Sequence, residues 1–122
     1  MPALYVALFQ PEEGNVKHWA LWLEHIGIYQ VVGTSMEFEL NIRPHLHPED
    51  IDGHLQSIYV ADVDDIAGFT QIFQNTEVSN DVVMWNCQVF VLDVLEALTA
   101  DGIIDDYEYQ EAKTELEGLL YD

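Results

Sequence analysis

Apolar residues in the first half of the chain come in short runs rich in Val, Ile, Tyr, Trp and Phe. The runs are Ala3–Phe9, Lys17–Leu23, Ile28–Val32, Met36–Ile42 and Leu55–Ala61. Runs of that length and composition predict strands. Glu12-Glu13-Gly14-Asn15, His25–Gly27 and Gly33–Ser35 supply turns between them. Arg43-Pro44-His45-Leu46-His47-Pro48-Glu49-Asp50 reads as a loop, because its prolines remove strand donors. In the second half the period lengthens. Asp64 or Asp65 is placed to cap a helix carrying Ile66, Phe69, Ile72 and Phe73 on one face. After the polar stretch Asn75–Asp81, a helix opens at Cys87 with Phe90, Val91, Val94, Leu95 and Leu98 as its stripe, ending near Gly102. A last helix is expected from about Asp105 to Leu120, with Tyr109, Ala112, Leu116 and Leu119 or Leu120 facing inward. Strands followed by helices predict an α+β fold: one domain over 1–122, its helices packed on one face of an antiparallel sheet.

Composition fits a globular domain, since 49% of the 122 residues are hydrophobic and 21% charged. The balance of charge narrows the partners. Lys17, Arg43 and Lys113 stand against 23 acidic residues, for a net charge of -20. Nucleic acid and anionic membrane surfaces are disfavoured, because binding to either needs clustered Lys and Arg. Natural partners are instead a neutral or cationic small molecule, or a basic protein or peptide. The apolar run at the N-terminus has no basic residues before it and reads as a first strand rather than a signal peptide. No apolar stretch approaches the ~20 residues that span a bilayer. A soluble, cytoplasmic protein is the expectation, with no intramolecular disulfide because Cys87 is the single cysteine.

That cysteine sits in Trp85-Asn86-Cys87-Gln88-Val89-Phe90, at the predicted doorway of a helix. A thiol reacts as its thiolate, and helix-start N–H groups or a neighbouring imidazolium favour that form. Among His18, His25, His45, His47 and His54, the best placed is His18, held on a strand where His18, Ala20 and Trp22 share one face. An imidazole acting as a base needs a third group to fix its tautomer. Gln30, on the following strand, is the candidate. Against this stands the net charge, which raises the pKa of Cys87 as well as that of His18. The bland reading is a small packed core residue, since cysteine is among the most buried types.

His18-Trp-Ala-Leu-Trp-Leu followed by Gln30 resembles the "H-W-A-L-Y-V-G-D-G" strand and following strand of the lecithin–retinol acyltransferase-like proteins. These belong with the NlpC-type, circularly permuted papain-like enzymes. Asn86-Cys87-Gln88-Val89-Phe90 stands in the order and place of that group's helix-opening "N-C-E-H-F". The resemblance implies a permuted papain-like fold, Cys87 as nucleophile and His18 as base. Gln30 falls where the family places its third polar residue, often a second histidine. It further implies acyl transfer through a thioester on an amide, ester or isopeptide bond, with no cofactor and no metal. The backbone N–H of Cys87 would serve the oxyanion, with Gln88 placed to assist. Trp22 and Trp85, if exposed, would wall a substrate cleft; otherwise they pack the core.

Three further readings compete. A catalytically inactive module of the same fold would use its acidic surface to hold a basic protein. Thr99-Ala-Asp-Gly-Ile-Ile-Asp-Asp-Tyr-Glu108 imitates the second half of an EF-hand loop, but Ala97 and Thr99 fall where its leading ligands belong. His45 and His47 with Asp50, Asp52 and His54 suggest a zinc site, though flanking prolines favour a solvated loop.

Overall fold

The computed structural model describes residues 1–11 and 16–120, so the turn expected at Glu12–Asn15 lies outside the described residues. Five strands form one open antiparallel sheet: β1 (Ala3–Phe9), β2 (His18–Leu23), β3 (Gly27–Val32), β4 (Glu39–Pro44) and β5 (His54–Asp62). They run across the sheet in the order β4-β3-β2-β1-β5. Three helices follow: α1 (Ile66–Asn75), α2 (Cys87–Ala100) and α3 (Asp106–Glu117). The fold is α+β.

Two expected boundaries move. The fourth strand begins at Glu39 rather than Met36, because Met36 adopts φ 70°, outside the extended region. The proline-bracketed segment is not wholly loop, since Arg43 and Pro44 end β4 and Pro48–Asp50 form a 3-10 turn. Pro44 is tolerated there because β4 is an edge strand, with no further neighbour to receive an N–H.

Alternation along β2 divides the molecule. Trp19, Leu21 and Leu23 join Leu4, Val6 and Leu8 in the large core, which also takes Phe69, Phe73, Phe90, Val94, Leu98, Tyr109 and Leu116 from the helices. All three helices therefore cover one face. On the other face Ala7, Phe9, Ala20, Trp22 and Ile28 form a smaller cluster under Leu46 and Ile51.

Each helix starts where its sequence supplies a cap. Asp65 accepts from Gly68 N at 2.8 Å, and Asp105 forms a capping box with Glu108. α2 stops at a left-handed Gly102 (φ 78°), with Ile103 N reaching back to Leu98 O at 2.9 Å. This arrangement also disposes of the calcium loop. Residues 97–100 are helical and Asp105 is committed to its cap, so neither can wrap an ion.

Candidate active site

Asn86 sets the start of α2. Its Oδ1 accepts from the N–H groups of Gln88 (2.9 Å) and Val89 (3.2 Å), which fixes Cys87 as the first helical residue. The helix enters the sheet at a fork. β2 and β3 pair at Leu21–Tyr29, Trp22–Ile28 and Leu23–Gly27, and the ladder stops there although both strands continue. Beyond that ladder, on the β3 side of β2, α2 takes the place of β3. Cys87 Sγ accepts from Trp19 N at 3.5 Å and lies 3.7 Å from Lys17 O, while Gln88 Nε2 donates to Lys17 O at 3.1 Å. The thiol is thus seated on the backbone at both sides of His18.

His18 itself projects on the face of β2 that carries Ala20 and Trp22, its ring 5.8 Å from that of Phe9. Continued at the same register, β3 would set Gln30 opposite Ala20, so His18 reaches Gln30 on the diagonal. His18 Nε2 is 2.7 Å from Gln30 Oε1. An amide oxygen only accepts, so Nε2 carries the proton and the lone pair falls on Nδ1. Gln30 is held in turn, donating Nε2–H to Asn41 Oδ1 on β4 at 3.0 Å. Sequence reasoning missed Asn41; the available signal was an asparagine inside a strand, a position where that residue is depleted.

Residues 4–105, from β1 to the cap of α3, match a family described as a family of unknown function, DUF6540. The chain belongs to DUF6540. No curated protein and no solved structure matches it. Cys87, His18, Gln30 and Asn41 all lie inside the matched region of this DUF6540 chain, whereas α3 lies beyond it.

Electrostatics at the thiol run against resting ionisation. Burial pushes the Cys87 thiol up, and the backbone N–H groups of Trp19, Cys87 and Gln88 pull it down by less. At neutral pH the sulfur therefore keeps its proton.

Gln88, Trp85 and Trp22, the residues considered for substrate contact, are all buried. Gln88 is fully buried, with its amide N–H spent on Lys17 and its Oε1 without a partner among the described residues. It fastens α2 to β2 rather than offering an oxyanion donor. Trp85 is buried against Phe38 and Phe90, with ring centroids at 5.4 and 6.0 Å. Trp22 stacks on Tyr5 at 4.7 Å and borders a shallow cavity of about 170 Å³ with His25, His45 and His47. That cavity is at the end of β2 away from His18, about 13 Å along the strand. What does stand exposed beside the helix start is Val82, Val83 and Met84, a segment that holds Ser35 through the carbonyl of Val83 at 3.1 Å.

Among the described residues no group of three ligand-type side chains is placed to hold a metal. His47 instead caps the 3-10 turn, accepting from Glu49 N at 3.1 Å. No helix among the described residues is long and apolar enough to cross a membrane.

Proposed function

We propose that this protein is a small cysteine-dependent hydrolase or acyltransferase of the permuted papain-like kind, acting through a thioester on an amide, ester or isopeptide bond. One observation carries the reading: Cys87 opens a helix against the backbone flanking His18, whose ring is fixed by Gln30. In the proposed reaction Cys87 Sγ bonds to the substrate carbonyl carbon as its proton passes to His18. The carbonyl oxygen takes up the electron pair and is met by the backbone N–H of Cys87. Collapse expels the leaving group, which takes the proton from His18 and leaves a thioester. Water, or an amine or alcohol acceptor, then gives its proton to His18 and displaces the thiol. With the thiol protonated at rest, His18 acts as a general base during attack rather than as a standing ion-pair partner.

The test is covalent. p-Nitrophenyl acetate should acetylate Cys87 in the native protein, read by intact mass and peptide mapping. His18→Ala should slow that step by about 10²–10⁴-fold, the usual worth of a positioned base. A Cys87 that acetylates only on unfolding would end the enzyme reading. A second reading would then stand, a catalytically inactive module binding a basic protein; the burial that raises the thiol favours it.

A further inference from the structure

The nine-residue β5 closes the sheet on one side and bonds to β1 alone, so alternate N–H and C=O groups along it point outward. Proteins usually blunt such an edge with Lys, Pro or short length. β4, the opposite edge, carries Glu39, Arg43 and Pro44. β5 reads His-Leu-Gln-Ser-Ile-Tyr-Val-Ala-Asp, with neither Lys nor Pro. Between its two register shifts the run Gln56–Tyr59 pairs regularly with Tyr5–Leu8. Among the described residues no strand pairs with its outer side, and its regular stretch is bounded by the two register shifts.

Beside it lies a groove of about 430 Å³, floored by Val60 and Ala112. One wall is α3, which turns Tyr109, Ala112 and Leu116 into the core. Glu108, Glu111 and Glu115 follow each other at helical spacing along the groove wall. None of them is in an ion pair with Lys or Arg among the described residues. Lys113, the one cation of α3, lies on another face with its Nζ 5.7 Å from the Tyr109 ring centroid. At the groove's margins Tyr59 is 52% and Tyr107 73% exposed, rings that can receive a cation on their faces.

We propose that this groove receives an extended basic segment of another protein, added to β5 as a further strand with Lys or Arg side chains against Glu108, Glu111 and Glu115. Backbone pairing supplies affinity and the glutamate row selects the charge, the usual division of labour in strand addition. A second copy of this chain is a poor occupant, since pairing β5 with β5 would bring two glutamate rows together. The proposal is independent of the chemistry of Cys87; failed acetylation leaves it standing.

The test uses the full chain and a synthetic peptide alternating Lys and Val. Backbone amide shifts should concentrate on Gln56–Tyr59 and α3. N-methylating the peptide's central amides keeps its charge but removes its strand hydrogen bonds, and should weaken binding about tenfold or more. Glu108→Gln, Glu111→Gln and Glu115→Gln together should weaken it by a similar factor, and Gln at 108 preserves the capping box. A control of equal charge, Glu37→Gln, Glu39→Gln and Glu77→Gln, should change affinity less than about threefold. Equal losses in the two triple variants, or indifference to N-methylation, would overturn the proposal and leave only diffuse attraction to an acidic protein.

Discussion

His18 is oriented through two amides in series, and the second carries a consequence of its own. Gln30 can present its oxygen to His18 only while its nitrogen has an acceptor, and Asn41 Oδ1 is that acceptor. Asn41→Leu is expected to slow acetylation of Cys87 about tenfold by freeing Gln30 to rotate. Asn41→Asp keeps the acceptor and should retain most of the rate. Its added carboxylate should also move the His18 limb of the pH–rate profile to higher pH. A merely structural Asn41 would lower stability without moving that limb.

Two acids, the buried Cys87 and the exposed Asp93, give stability signatures of definite sign. Burial raises the Cys87 thiol above its unfolded value, so the stability it contributes is complete below the ordinary thiol range. It is lost as pH climbs from that range toward the folded value, because the unfolded chain ionises first. Wild type should lose melting temperature over that interval more steeply than Cys87→Ala. Asp93 is raised by burial first and then by the charge of Glu96, partly offset by the Trp85 hydrogen bond. Its contribution is likewise present below the ordinary aspartate range and lost as pH rises through the folded value. Asp93→Asn should therefore melt higher than wild type at pH 7, and the gain should vanish in acid.

At the scale of elements, the start of α2 is the joint on which the site turns. Asn86→Ala removes the acceptor for two helix N–H groups and should cost about 1 kcal/mol in chemical denaturation. It should also lower acetylation, because fraying moves Cys87 off β2. The β3–β4 pair has a similar weak point. A Cβ on Gly27 would stand 2.6 Å from the Arg43 carbonyl oxygen, so Gly27→Ala should destabilise the fold and loosen the pairing that aligns Gln30 with Asn41.

Most elements were legible because each has a local cause. Strand alternation placed His18, Ala20 and Trp22 on one face, and the stripe Phe90–Leu98 is buried as its period requires. Asp65, one of the two expected caps, closes the start of α1. The errors have local causes too. Met36 looked like strand by composition while its backbone is left-handed. Gln88 looked available for substrate because exposure depends on what other elements cover, which periodicity near Cys87 does not report, whereas Trp85 packs the core, as expected of it unless exposed.

At the scale of the whole molecule, charge dominates. With a net charge of -20 and His25–Glu24 (3.8 Å) the one ion pair among the described residues, the folded state repels itself. Adding about 0.5 M NaCl at pH 7 should raise the melting temperature by several degrees through screening. The rise should shrink as the carboxylates protonate toward pH 4. A melting temperature indifferent to salt at pH 7 would show that the carboxylates are far enough apart to ignore one another.

By itself the sequence determined the α+β class, the faces of β2, the helix starts and the excess of negative charge. Those follow from period, capping and composition, all properties of neighbours along the chain. Only the tertiary structure decided the strand order, the early end of the β2–β3 ladder that lets α2 reach Lys17 and Trp19, and the open acidic edge at β5. Each of these joins residues far apart in the chain through packing or backbone hydrogen bonds, and no local pattern encodes which distant partner a buried face or a strand edge will meet.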